Sequence, residues 1–307
     1  IAVAIGAFIA FLGLTGGGII VKPQGPLAVD LGDPANPAVW TTLVGIILMG
    51  VLMTRRIPGA ILIGLAGTTV FALLVGVTHF QGVVDAPPSL APTFLQFSFE
   101  GLLTSNGVVI IFVFLFMDFF DSIGTFIGIG QAGGFLRDGK MPRASRALYA
   151  DATGTLTGAA LGTSAVTSYI ESAAGVAAGG RTGLASIATG LLFVGAIFFS
   201  PLAKMIGQPF AFEGAFYSPI TAPALLVVGC LMMSNVKAIP WDDMSEGLPA
   251  LLMILGMPLT YSVADGLALG FVTYPLIKLL AGKGRDVPVL LYVLAALFTA
   301  RYVCPQP

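Results

Sequence analysis

The run IAVAIGAFIAFLGLTGGGIIV, residues 1–21, is the first of a series of apolar stretches long enough to cross a lipid bilayer. A spanning helix needs roughly 20 mostly apolar residues. Further candidates lie at 40–53, 58–78, 106–130, 144–162, 184–206, 219–235, 246–262, 264–282 and 287–303. Residues 165–180 add a shorter element rich in glycine and alanine. In hydrocarbon every backbone amide must be satisfied within the protein, so repeated runs of this kind leave the helical bundle as the available solution. Several runs are broken by Gly and Pro, and such breaks survive at membrane depth only where protein or a cavity meets the freed backbone groups. The expected class is therefore an all-α integral membrane protein. Composition agrees: charged residues make up 9% of the 307, against about 25% in an ordinary soluble domain.

Function classes fall away on the same grounds. The formal net charge is −1 and no basic stripe points to nucleic acid. Cys230 and Cys304 have no metal-ligand spacing, and the single His79 sits beside a loop, so neither a metal nor a cofactor is expected. Residue 1 is not Met and no basic segment precedes the first apolar run, which suggests a chain whose earlier helices are absent.

The basic residues set an expected topology. Arg55 and Arg56 separate the second and third runs, and Arg137, Lys140, Arg143 and Arg146 the fourth and fifth. Lys237, Lys278, Lys283 and Arg285 follow later ones, whereas loops 22–39 and 79–105 hold only Lys22. With the basic loops cytoplasmic, the alternation closes provided 165–180 counts as a crossing. Within loop 79–105, TFLQFSFEGLL reads as an amphipathic piece along the interface.

Four of the fifteen acids lie where a bilayer makes charge costly: Asp118 and Asp121 in FVFLFMDFFDSIGTFIG, Asp151 in ALYADATGT, and Glu171. A charge at the bilayer centre costs about 2.5–3.5 kcal/mol even on the lenient insertion scale, so such residues are functional candidates. Asp118 and Asp121 share a helix face, continued by Ser122 and Thr125. Asp151 is expected to be structural, pairing with Arg146 or holding nearby backbone. SAVTSY suits a few extended residues and ESAAGVAAGG a closely packed half-helix. Glu171 would then stand in that helix's first turn, where free N–H groups favour a carboxylate or an anionic ligand. Broken helices meeting near the midplane are usual in secondary transporters.

MDFFDSIGT, followed about fifty residues later by SYIESAAGVAAGGRTGL, resembles the AzgA-like purine permeases of the nucleobase–ascorbate transporter superfamily. APALLVVGCLMMSN and PALLMILGMPLTYS are similar to that family too. The resemblance implies the uracil-permease fold, seven plus seven helices in inverted repeats, with this chain starting near the fifth. Residues 1–78 would be gate helices five to seven, and 79–105 an external loop. Residues 106–206 would be core helices eight to eleven with the tenth broken, 207–282 gate helices twelve to fourteen, and 283–307 an additional C-terminal helix.

Carried over by position, the resemblance implies Asp121 and Glu171 as site carboxylates, with Thr125 facing the same pocket and Tyr169 and Ile170 offering backbone groups. Asp118 fits the pattern one turn earlier. The implied activity is proton symport of hypoxanthine, guanine or adenine in a multi-pass cell-membrane protein, and a homodimer is compatible with it. A planar base presents N–H donors that a carboxylate can accept in pairs. The helix terminus favours an ionised Glu171 as base acceptor. Burial and a like-charged neighbour favour the protonated form of Asp121 and Asp118, the better proton carriers. Weaker readings are a permease for uracil or xanthine/urate, a channel, and an intramembrane aspartyl protease, whose glycine–x–glycine–aspartate motif is absent.

Overall fold

The computed structural model describes residues 1–21, 29–100, 102, 104–136, 141–169, 172–177 and 179–303; at Asp121 and some other positions inside helices it describes the backbone alone. Each apolar run named above contains a helix among the described residues. The helices are α1 (Ala2–Gly16), α2 (Pro37–Thr54), α3 (Ala60–Val75), α4 (Ser105–Gly133), α5 (Ala144–Leu161) and α6 (Ser172–Ala177). There follow α7 (Gly183–Ala196), α8 (Ser200–Gly207), α9 (Ala222–Met233), α10 (Met244–Thr260), α11 (Val263–Leu280) and α12 (Val289–Val303). A 3₁₀ turn at Ile197–Phe199 joins α7 to α8. Pro37–Thr54, Gly183–Gly207 and Val263–Leu280 are each long and apolar enough to cross a membrane, and the protein is a membrane protein.

Local sequence explains the boundaries. Asn36 caps α2, its side chain accepting from the Ala38 N–H at 2.9 Å, with Pro37 at the first helical position where a missing N–H costs nothing. Asp243 caps α10 by accepting from the Ser245 N–H at 2.9 Å, and Ser262 caps α11 by accepting from the Asp265 N–H at 3.1 Å. At the α3 terminus Gly76 turns left-handed, φ 80°, as glycine readily does.

One correction to the all-helical expectation concerns two short antiparallel hairpins. Strands β1 (Ile20–Val21) and β2 (Asp30–Leu31) pair, as do β3 (Phe210–Phe212) and β4 (Ala215–Tyr217). The second turns through Glu213 and Gly214, both at positive φ (49° and 81°), the geometry that two-residue hairpin turns require.

The helices pack in two groups. In the first, α1 lies along α9 and touches α10, α10 lies along α11, α2 lies along α3 and α9, and α12 covers α11. Glycine makes these approaches close. A Cβ on Gly229 would stand 2.6 Å from the Gly6 carbonyl oxygen, and one on Gly266 2.7 Å from the Met257 nitrogen. Small residues at helix crossings are the expected device where lipid supplies no hydrophobic drive to association. Ala4, Met253, Met257, Leu267, Ala268, Phe271, Leu294 and Phe298 form the main buried cluster, which joins α1, α10, α11 and α12. In the second group α4 packs against α6 and α5, and it meets the first group only slightly, at α1. Helix α7 is apolar and exposed along nearly its whole length.

Candidate functional site

Helix α4 carries Asp118, Ser122 and Thr125 at i, i+4 and i+7, one face of a helix. Ser122 and Thr125 are buried and Asp118 half-buried. Of the polar stripe expected from the sequence, Ser122 and Thr125 are turned inward.

Helix α5 supplies the surface opposite. Asp151, Thr155 and Gly158 repeat the same spacing, with Gly154 beside them. Gly162, at φ 79°, ends the helix in the left-handed conformation, and the chain returns along α5 as segment 163–169, which is neither helix nor strand. The Thr155 hydroxyl donates to the Val166 carbonyl at 2.9 Å. Val166 lies against Gly154 and Gly158, where any side chain would crowd it: a Cβ on Gly158 would come within 2.8 Å of a Val166 methyl. The loop before α4 fixes the turn, since Leu95 N–H donates to the Ala160 carbonyl at 2.8 Å and the Thr93 hydroxyl to that of Leu161 at 2.9 Å.

Asp151 joins the three elements. The Ser122 hydroxyl donates to Asp151 Oδ2 at 2.7 Å, and the Ser168 hydroxyl to Oδ1 at 3.4 Å. Ser122 Oγ also lies 3.2 Å from Thr167 Oγ1. The expectation that Asp151 pairs with Arg146 or holds backbone is corrected here. Among the described residues it forms no ion pair, and hydroxyls of α4 and of the non-helical segment are its partners. The physical reason is the helix face: five residues apart, Arg146 and Asp151 stand about 140° apart round α5, while Ser122 is packed directly against the carboxylate.

The short α6 begins where the sequence places the half-helix. Its Val176 packs against Gly133 of α4, and Ser172 N–H donates to the Tyr169 carbonyl at 3.1 Å. Tyr169 is 69% exposed. Ile170, Glu171 and the Asp121 side chain lie outside the described residues. What the structure brings together is thus Asp118, Ser122, Asp151, Thr167 and Ser168, with Thr125 buried farther along the same face of α4. Thr167 and Ser168 were missed as site candidates and Asp151 was read as structural, although the Asp151–Thr155–Gly158 spacing signals a helix face that receives another segment. Among the described residues no group of three or more His, Cys, Asp or Glu could hold a metal ion.

A helical membrane bundle with a broken element pinned between two polar helix faces is the architecture of a secondary transporter. The model of the permease family matches residues 1–269, and the chain belongs to that family, a class of transporters rather than enzymes. It is 46% identical over 304 residues to a putative permease of Methanocaldococcus jannaschii, covering 98% of this chain and 67% of that protein. It is 41% identical to the guanine/hypoxanthine permease PbuO of Bacillus subtilis, covering 97% of this chain and 68% of the relative. The adenine permease AdeQ of Escherichia coli is 38% identical, with 97% and 65% covered. The chain spans about two thirds of the length of these relatives. The resemblance read from the two motifs is borne out.

Proposed function

We propose that the chain forms the greater part of a proton-coupled purine nucleobase permease, multi-pass in the cell membrane, that imports hypoxanthine, guanine or adenine. One observation carries the reading: relatives named guanine/hypoxanthine and adenine permeases match 97% of this chain, through both the α4 segment and the 163–177 segment. In the seven-plus-seven scheme α1–α3 and α9–α11 are gate helices, α4–α8 form the core, and α12 is additional. The slight contact of α4–α6 with the first group supports that division, and α8 bridges it, Ile206 packing with Ala72, Val77 and Ile220.

In this reading Glu171 accepts N–H donors of the base, Thr125 lines the same pocket, and Tyr169 and Ile170 contribute backbone groups. Asp121, with Asp118 one turn before it, carries the proton. Uptake of radiolabelled hypoxanthine, guanine and adenine, in cells lacking their own purine permeases and expressing the gene's full product, tests it. Saturable uptake that is abolished by a protonophore and competed by purines supports the reading. Competition by uracil without competition by any purine overturns the substrate class, and non-saturating flux overturns the carrier.

A further inference from the structure

We propose that Asp151 is a positioning residue of the base site, tying segment 163–169 to α4 and so setting how the chain on either side of the junction meets its ligand. The inference rests on the purine-permease reading. Its first support is the completeness of the contact. Ser122 is fully buried, and its one O–H is directed at Asp151 Oδ2 across 2.7 Å. With that proton committed, the lone pairs of Ser122 can accept from the Thr167 hydroxyl at 3.2 Å. The result is a directed chain, Thr167 to Ser122 to Asp151, joined by Ser168 on the second carboxylate oxygen. Hydrogen bonds to a charged acceptor are the stronger kind, and low surrounding dielectric strengthens them further.

The second support is location. Ser122 follows Asp121 directly, Thr125 stands one turn on, and Ser168 is three residues before Glu171. The carboxylate therefore fixes the register of α4 against the non-helical segment at the point where the base-contacting residues lie on both. A purely architectural clamp could sit anywhere along α5. The other contacts along that helix are apolar packing or lead to backbone, as at Gly158 and Thr155. The Asp151 contact alone joins side chains of all three elements among the described residues.

The test uses the full gene product. Asp151→Ala is expected to raise the KM for hypoxanthine uptake roughly tenfold, the size of one lost charge-assisted hydrogen bond. Melting temperature and surface abundance stay near those of the parent. Asp151→Asn, which keeps an oxygen for Ser122, recovers most of the loss. Ser122→Ala combined with Asp151→Ala costs little more than either alone, because both remove one contact. A measurement without ligand keeps the inference separate from the substrate assignment: in Asp151→Ala, backbone amides of 163–169 exchange with deuterium faster while those of α10 do not. A parent that takes up no purine, with faster exchange in the variant, defeats the substrate reading and retains the tie. A parent that takes up purine, with KM and exchange both unchanged in Asp151→Ala, overturns the inference. So does a variant that loses melting temperature and abundance with its KM intact.

Discussion

An alanine at position 158 would bring its Cβ within 2.8 Å of Val166 Cγ2, 3.1 Å of Thr163 Cγ2 and 3.2 Å of the Ser164 carbonyl oxygen. In a free helix that change is favourable by about 0.5–1 kcal/mol. Here overpacking, typically about 1–3 kcal/mol, displaces the segment instead. Gly158→Ala is expected to weaken hypoxanthine binding by roughly tenfold with little change in melting temperature. Gly154→Ala, whose Cβ would meet Val166 at 3.3 Å, stays closer to the parent. Isothermal titration on both variants checks the order. The proposed carboxylate roles also separate by single substitutions. Glu171→Gln replaces an acceptor by a donor and should weaken binding roughly ten- to a hundredfold. Asp121→Asn imitates the protonated acid and should keep measurable binding while losing accumulation driven by a proton gradient. Accumulation that survives in Asp121→Asn and fails in Glu171→Gln reverses the two roles. A polar face on α4 was read from Asp118 and Asp121, three apart, continued by Ser122 and Thr125, the two that the structure buries. The partners of Asp151 were not: they stand 29 and 17 positions away, and only the fold brings them together.

Helices α10 and α11 show how a membrane hairpin is secured at one end. Lys278, buried in α11, places its Nζ 2.7 Å from Glu246 Oε1 in the first turn of α10, and the Tyr274 hydroxyl donates to the same oxygen at 3.2 Å. Beyond it Lys283 pairs with Asp243 at 3.2 Å in a more exposed setting. Hydrogen bonds from Ser245, through its hydroxyl and its N–H, and from Lys283 hold the Asp243 carboxyl well below the usual carboxylate range. A carboxyl lowered in the folded state stabilises fully above its unfolded value of about 3.9, and the benefit is lost as pH falls through the folded value. Asp243→Ala is therefore expected to melt below the parent at pH 7 and equally so at pH 5, the gap closing only in strong acid. Melting in detergent across that range tests the sign. Lys278→Ala should lower melting temperature more than Lys283→Ala, because it strands a partner in a largely buried pair. Helix positions were readable because apolar runs of this length have one solution in lipid. The β3–β4 hairpin was missed beneath that signal, although Phe-Ala-Phe and Ala-Phe-Tyr flanking Glu-Gly carry a recognisable turn.

Across the whole molecule, the basic loops and the helix order predict opposite faces for Arg143, at the start of α5, and Pro87, in the loop before α4. Single cysteines at the two positions should react with a membrane-impermeant thiol reagent from opposite sides, and labelling of both from one side would overturn the topology. The close packing of α1 on α9 makes a separate demand. Gly229→Ala forces backbone apart where a carbonyl lies 2.6 Å from the new Cβ, and should cost about 1–3 kcal/mol of stability. The buried cluster that unites Ala4 with Leu294 and Phe298 joins residues from nearly opposite ends of this chain. A ribosome adding about 5–20 residues per second needs about 15–60 seconds between synthesising Ala4 and Phe298. The glycine face of α1 waits for α9 for about 11–45 seconds of that interval, the time to add the 223 residues from Gly6 to Gly229. The order of synthesis therefore sets the order of packing: α9 reaches α1 before α10 does, and α12 completes the buried cluster last.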